Sequence, residues 1–301
     1  MKILFGILLF LQCLIADAQT DSASRQRMRS YLSHADKARA FTADKEYAAS
    51  IAEYKQAFLY AQFYVPDLLS CSESFSALGN IDSAFGMLVV AAANGYDWHD
   101  DPNLTAWRQS PIFDEAKLQK VRTDFYRRVD REYLELLDSM EVKDQSVRGI
   151  HGDTARMADV DSADMEILAQ LVRAKGFPRY DKVGYAGVMD AFVLLLHGLL
   201  NGVHGQKMWT YFQPVLYREV QQGYLMPDYY AFIYDRIVSD YGRLEQCYGT
   251  HFDYSPEGTV VINPVYDVAH VDARRAEIGL PPLRYMIKTY HMTAPQGYQT
   301  R

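Results

Sequence analysis

The side chains best suited to chemistry sit in the later half of this chain. Gln246, Cys247, Tyr248, Gly249, Thr250 and His251 form a short polar and aromatic run downstream of the pair Asp235, Arg236. Further upstream, His197 is the only ionisable side chain after Asp190 in an otherwise apolar run. Imidazole, with an intrinsic pKa of about 6.5, is the natural general base near neutral pH. With Tyr248 as a donor and Arg148 or Arg275 holding an anionic group, His197 would serve a hydrolase or a lyase. The same inventory also reads as a binding site without a nucleophile. Asp144, Gln145, Arg148, Asp235, Arg236, Gln246, His251, Arg274 and Arg275 offer donors and acceptors to a small or peptidic ligand. Each also has a plainer reading. Asp144 and Arg148, four apart, make a surface helix pair contributing about 0.2 to 0.5 kcal/mol. His197 can be a hydrogen-bonded core residue, and the Asp and Arg residues can brace the loop.

Signatures of known chemistries are missing from the sequence. It has no His-Glu-x-x-His helix, no Gly-x-Ser-x-Gly elbow, no phosphate loop and no Gly-x-Gly-x-x-Gly fingerprint. His197 and His204, seven apart, share a helix face but stand too far apart for one metal. A calcium loop counted from Asp159 fails because its sixth position is Asp164 rather than Gly. Asp161 reads instead as a helix N-cap. No metal and no cofactor are expected.

The elements that must position these residues are mostly helical. Val188 to Leu200 is apolar on all sides, the mark of a buried helix, and is the expected centre of the later half. Before it, a helix from Ser162 to Lys175 stops at Gly176, ahead of Phe177 and Pro178. After it, Gln206 to Gln222 is interrupted by Pro214, which predicts a kink or a new helix. Asp228 to Tyr241 predicts a helix carrying Asp235 and Arg236. Tyr248 to Phe252 and Thr259 to Asn263 are β-prone runs around Ser255, Pro256, Glu257 and Gly258, a small hairpin. Asp267 to Ile278 and Pro282 to His291 predict the closing helices. A long helix from Asp114 to Lys143 is expected to link the two halves. Folding around the helix that ends at His197 is expected to gather the polar residues.

Composition bounds the rest. The chain has 301 residues, 49% hydrophobic and 23% charged, enough for two globular domains. A net charge of -7, with no cluster of Lys and Arg, excludes non-specific nucleic-acid binding. Lys2, an apolar run from Ile3 to Ile15 and the Ala16–Ala18 site read as a secretory signal peptide cleaved after Ala18. The apolar run is too short to span a bilayer, so membrane contact is expected only through this transient segment. Export to the periplasm or cell exterior follows. Cys71 and Cys247, far apart in sequence, read as two buried free thiols.

The earlier half carries an internal repeat. Ser50, Ile51 and Ala57 recur as Ala84, Phe85 and Ala91, an offset of 34 residues. That period resembles the tetratricopeptide repeat. It predicts two helix pairs: 21–40 with 44–63, and 66–78 with 81–94. The stretch Gly95 to Phe113, with Leu104, Trp107 and Phe113, resembles the capping segment that closes short arrays of this kind. The resemblance implies a protein or peptide partner. The expected organisation is a signal peptide over 1–18, a tetratricopeptide-like domain over 19–130 and an α-rich domain with a small β-hairpin over 131–301.

Over Tyr133 to Tyr290 a second resemblance appears. Asp144, Gln145, Arg148, Gly176, Pro178, His197, Asp235, Arg236, Gln246, Tyr248, Gly249, Thr250, Arg274, Arg275, Gly279 and Leu280 resemble the pattern of a bacterial family known only as a domain of unknown function. This chain departs from it at Leu196, where the family has Gln, at Leu199, where it often has Asp, and at His251, where it has Gln. The first two departures remove the expected orienting partners of His197. The resemblance implies no activity. Two readings therefore stand: an exported binding protein, and a hydrolase or lyase built on His197.

Overall fold

The structure is a computed structural model that describes residues 2–99, 101, 104, 107–148, 154–240 and 245–299, with backbone alone for residues 2–22, 154 and 240. It is mostly α-helical, with a single two-stranded antiparallel sheet among the described residues. The repeat read from the sequence appears as two helical hairpins. They pair α1 (Lys2–Ala43) with α2 (Tyr47–Ala57), and α3 (Val65–Ala77) with α4 (Ile81–Ala93). Ser50, Ile51, Ala57, Ala84, Phe85 and Ala91, the residues that define the offset, are all buried. Small residues at these positions let the helices approach closely. Asn80 starts α4 by accepting from the Ser83 amide at 3.2 Å. Beyond α4, Trp98, Leu104 and Leu118 close over Phe85 and Leu88, with Trp107 and Phe113 packed alongside. These side chains cover the α4 face that Phe85 and Leu88 present.

The long helix expected over Asp114 to Lys143 is two helices, α5 (Glu115–Tyr126) and α6 (Arg131–Ser146). Asp130 is the cause of the break. Its carboxylate accepts from the Tyr133 amide at 3.1 Å, which makes it the N-cap of a new helix rather than an interior residue. α7 (Thr154–Lys175) starts well before Ser162. Asp161 therefore lies inside the helix and is not its N-cap. α8 (Tyr180–Gly198) contains the apolar run and a break at Gly184, whose φ of 68° and ψ of -172° belong to a region open essentially to Gly alone. α9 (Gly202–Gln221) runs through Pro214 as one helix, followed by α10 (Pro227–Asp240).

The hairpin pairs β1 (Phe252–Tyr254) with β2 (Val260–Ile262), with Phe252 opposite Ile262 and Tyr254 opposite Val260. Its first strand begins later than the sequence suggests because residues 246 to 251 are committed to a loop. A short 3-10 turn leads into α11 (Val271–Ile278), and α12 (Leu283–Thr289) returns to lie against α1. Leu194 and Leu195 of α8 are buried in the largest core cluster, which also takes in Met28, Tyr31 and Leu32 of α1 and Phe212 of α9. Cys71 and Cys247 are buried free thiols, as expected. No described helix is long and apolar enough to cross a membrane.

Candidate functional site

α6 and α8 run parallel. At their starts, the Asp130 amide donates to the Lys182 carbonyl at 2.7 Å. At their ends, Nδ1 of His197 lies 2.8 Å from Oδ2 of Asp144. Asp144 is 1% exposed and is held from several sides. Its second oxygen lies 2.8 Å from Nη1 of Arg148, and Nε2 of Gln145 donates to Oδ2 at 2.9 Å. Arg148, just past the end of α6, also caps that helix by donating to the Asp144 carbonyl at 3.0 Å. Its other nitrogen pairs with Asp161 of α7. The pair is thus a buried hub joining three helices, and not the surface pair its spacing suggests.

The arrangement also fixes His197. A carboxylate accepts from Nδ1–H, which in the neutral ring leaves the lone pair on Nε2. The side chain remains a quarter exposed. Although Leu196 and Leu199 replace the residues expected to orient it, Asp144 supplies that role from another helix. Around this hub carboxylates dominate. Both oxygens of Asp164 are buried without a hydrogen-bond donor, and burial pushes its carboxyl up to about 6, against the pull of Lys143. Asp190 has one buried, unpaired oxygen, and burial, aided by Asp138 and Glu141, raises it to about 7. Burial also raises Glu141 and Asp161, the latter opposed by Arg148. Sequence reasoning passed over Glu141, Asp161, Asp164 and Asp190 as site residues. Glu141 lies on α6, Asp161 and Asp164 on α7 and Asp190 on α8, and their spacing along these helices was the available signal. The described residues contain no group of three or more His, Cys, Asp or Glu arranged to hold a metal.

The remaining predicted residues form a separate group around residues 246 to 251. Asp235, fully buried on α10, accepts from the amides of Cys247 at 2.7 Å, Tyr248 at 2.9 Å and Thr250 at 3.1 Å, and from the Thr250 hydroxyl at 2.8 Å. Gln246 donates to the carbonyls of His251 at 3.0 Å and Asn263 at 2.8 Å, while its own oxygen accepts from the His251 amide at 2.8 Å. The His251 ring donates through Nε2 to the Phe232 carbonyl at 3.0 Å. Arg274 donates to the Cys247 carbonyl at 3.0 Å, and Arg275 to those of Tyr248 and Pro281, both at 2.6 Å. An irregular buried segment cannot satisfy its backbone by itself, and these side chains do it instead. Tyr248 packs its ring on Tyr230 and Tyr234, and burial pushes its phenol strongly upward. Arg236 is exposed on α10.

The expected convergence of all these groups on one hollow is therefore not found. Asp144, Gln145, Arg148 and His197 meet at the ends of α6 and α8. Asp235, Gln246, Tyr248, His251, Arg274 and Arg275 meet at the loop, and no hydrogen bond or ion pair among described residues joins Tyr248 to His197. Three cavities lie elsewhere among the described residues. One of about 730 Å3 opens on α3, and two of about 250 and 120 Å3 lie between α1 and the segment from α11 to α12. Arg275 is the one predicted site residue that lines any of the three.

Residues 151–294 match the model of a family of unknown function (DUF6624). The match takes in His197 and the whole loop group. It begins after Asp144, Gln145 and Arg148, which the structure nonetheless ties to His197 and Asp161 inside it. No curated protein and no solved structure matches the chain.

Proposed function

We propose that this is an exported binding protein whose tetratricopeptide-like hairpins hold a peptide segment of a partner. The observation that carries the reading is the groove of about 730 Å3 along α3. Small side chains, Ser70, Ser76 and Ala77, line it together with Tyr47, Leu69 and Trp107. That volume falls in the range of ligand pockets, and a lining that mixes aromatic, apolar and small side chains suits a peptide. Glu73 and Asp101 contribute carboxylates to the lining, and no Lys or Arg is among the described residues that line it. The peptide is therefore one with a basic residue beside an apolar one. The signal-peptide pattern at the start of the chain supports export. Selection of a displayed random-peptide library on the protein tests the reading. Enrichment of Lys- or Arg-containing sequences that is lost in Ser76→Trp, with melting unchanged, is expected. No enrichment, or equal capture by Ser76→Trp, overturns it.

A second reading has its own support. The Asp144–His197 pair, with the His197 side chain a quarter exposed, is the arrangement of a general base oriented by a buried carboxylate. It favours hydrolysis or elimination at the ends of α6 and α8. Turnover of a panel of activated esters and amides that disappears in His197→Gln would support it. Turnover that survives that change, or none at all, would rule it out.

A further inference from the structure

The two smaller cavities between α1 and the segment from α11 to α12 share Leu32, Asp36, Leu280, Pro281 and Tyr285 in their linings. The inner one, of about 120 Å3, adds Arg39, Asp228 and Arg275. Charges of both signs around an interior space are costly unless each has a partner. Most of Arg39 is accounted for. Its Nε and Nη2 grip Asp67 at 2.8 and 2.7 Å, and its Nη1 reaches one oxygen of Asp36 at 2.9 Å. Tyr31 completes Asp67.

Arg275 is different. It is 2% exposed, and its Nε and Nη1 donate to backbone carbonyls only. Among the described residues no carboxylate pairs with it and no acceptor meets Nη2. Asp272, Asp235 and Asp36 act on it only from beyond contact distance, so a buried guanidinium at the wall of a cavity keeps one nitrogen open to an anion. Two carboxylates across the cavity lack full partners in the opposite sense. Asp36 has one oxygen on Arg39, and among the described residues Asp228 has the Tyr229 amide at 3.1 Å and the Tyr64 hydroxyl at 3.5 Å. Burial raises both carboxyls, Asp36 to about 6, even against the pull of the Arg39 guanidinium. The rest of the inner lining, with Leu32, Leu280, Met286 and Tyr290, is largely apolar.

We propose that this cavity binds a free α-amino acid with an apolar side chain, its carboxylate on Nη2 of Arg275 and its ammonium between Asp36 and Asp228. A zwitterion supplies both missing partners at once and adds no net charge. The peptide groove on α3 is a different place, so this proposal stands whether or not that groove binds anything.

The test uses the full chain with leucine, isopentylamine and 4-methylpentanoate as separate probes in calorimetric titration, followed by glycine, alanine, valine and methionine. Saturable binding of at least one amino acid of this set is expected, with neither half-molecule matching leucine. Asp228→Asn should weaken that amino acid about tenfold, as for the loss of one charge-assisted hydrogen bond. Tyr290→Trp, which fills the cavity from an exposed position, should abolish binding while leaving the melting temperature in place, and it serves if Asp228→Asn fails to fold. Absence of binding by all five amino acids, equal binding of the amine or the acid alone, or unchanged binding by a folded Asp228→Asn or Tyr290→Trp would overturn the proposal.

Discussion

An Asp and an Arg four apart on a helix surface stabilise it by a few tenths of a kcal/mol. Asp144 departs from that case because it is buried and answers to Arg148, His197 and Gln145 together. Asp144→Ala leaves Arg148 with Asp161 but strands His197 and the end of α6. A loss of about 3 kcal/mol is expected, the lower end for removing one partner of a buried pair, because Arg148 and His197 retain some water. Urea unfolding of the variant reads this, and a loss below about 1 kcal/mol would return the pair to the surface class. Asp164 predicts the opposite sign. Its folded carboxyl is raised to about 6 from an ordinary 3.8. At about pH 3 both states hold the proton. Between those two values the folded state keeps a proton that the unfolded chain has released, so stability falls as pH rises, and above about 6 the full penalty remains. Asp164→Asn should therefore stabilise the protein at about pH 8, on the order of 2 kcal/mol, and hardly at all near pH 3. Equal effects at both pH values would show that the carboxyl is not displaced.

Elements were legible in the sequence where their boundaries were local. The helix pairs of the repeat, the stop at Gly176 and the hairpin around Gly258 follow from turn chemistry and spacing close at hand. Breaks with weaker local signals were missed. Asp130 divides α5 from α6, yet an acidic residue within a charged stretch looks the same whether it caps a helix or faces water. The site suffered more, since Asp144 and His197 are 53 residues apart and nothing local says that α6 and α8 lie parallel. The loop group was legible as a set of residues but not as a role, because donors that satisfy a backbone and donors that hold a ligand are the same side chains. Gly184 gives the element-scale prediction. A Cβ added there would meet the Phe125 ring at 2.3 Å, in a backbone conformation that L residues avoid. Gly184→Ala should cost about 3 kcal/mol or more, combining backbone strain of about 1 to 3 kcal/mol with displacement of a buried ring. A variant as stable as wild type would mean that the start of α8 straightens freely.

At the scale of the whole molecule, α1 decides how the halves behave. It packs on α2 and α3 on one side and on α9 and α12 on the other. Arg39 ties it to Asp67 of α3, and Lys288 of α12 reaches Asp44 at 2.9 Å, just beyond its end. The amino-acid cavity proposed above is walled by α1 together with residues from the far end of the chain, so Asp36, Asp228 and Arg275 could not be grouped from sequence position. A core that includes Met28, Tyr31 and Tyr64 along with Met165, Leu194 and Phe212 has no seam at which one half could melt alone. The chain should therefore unfold in a single transition. Trp209→Phe leaves Trp98 and Trp107, both on the repeat side, as its tryptophans. Fluorescence then reports that side alone, while far-ultraviolet circular dichroism reports every helix. The two urea midpoints are expected to coincide. A fluorescence transition clearly separated from that of the circular dichroism would mean that the hairpins and the later helices fold as independent units and that α1 couples them only weakly.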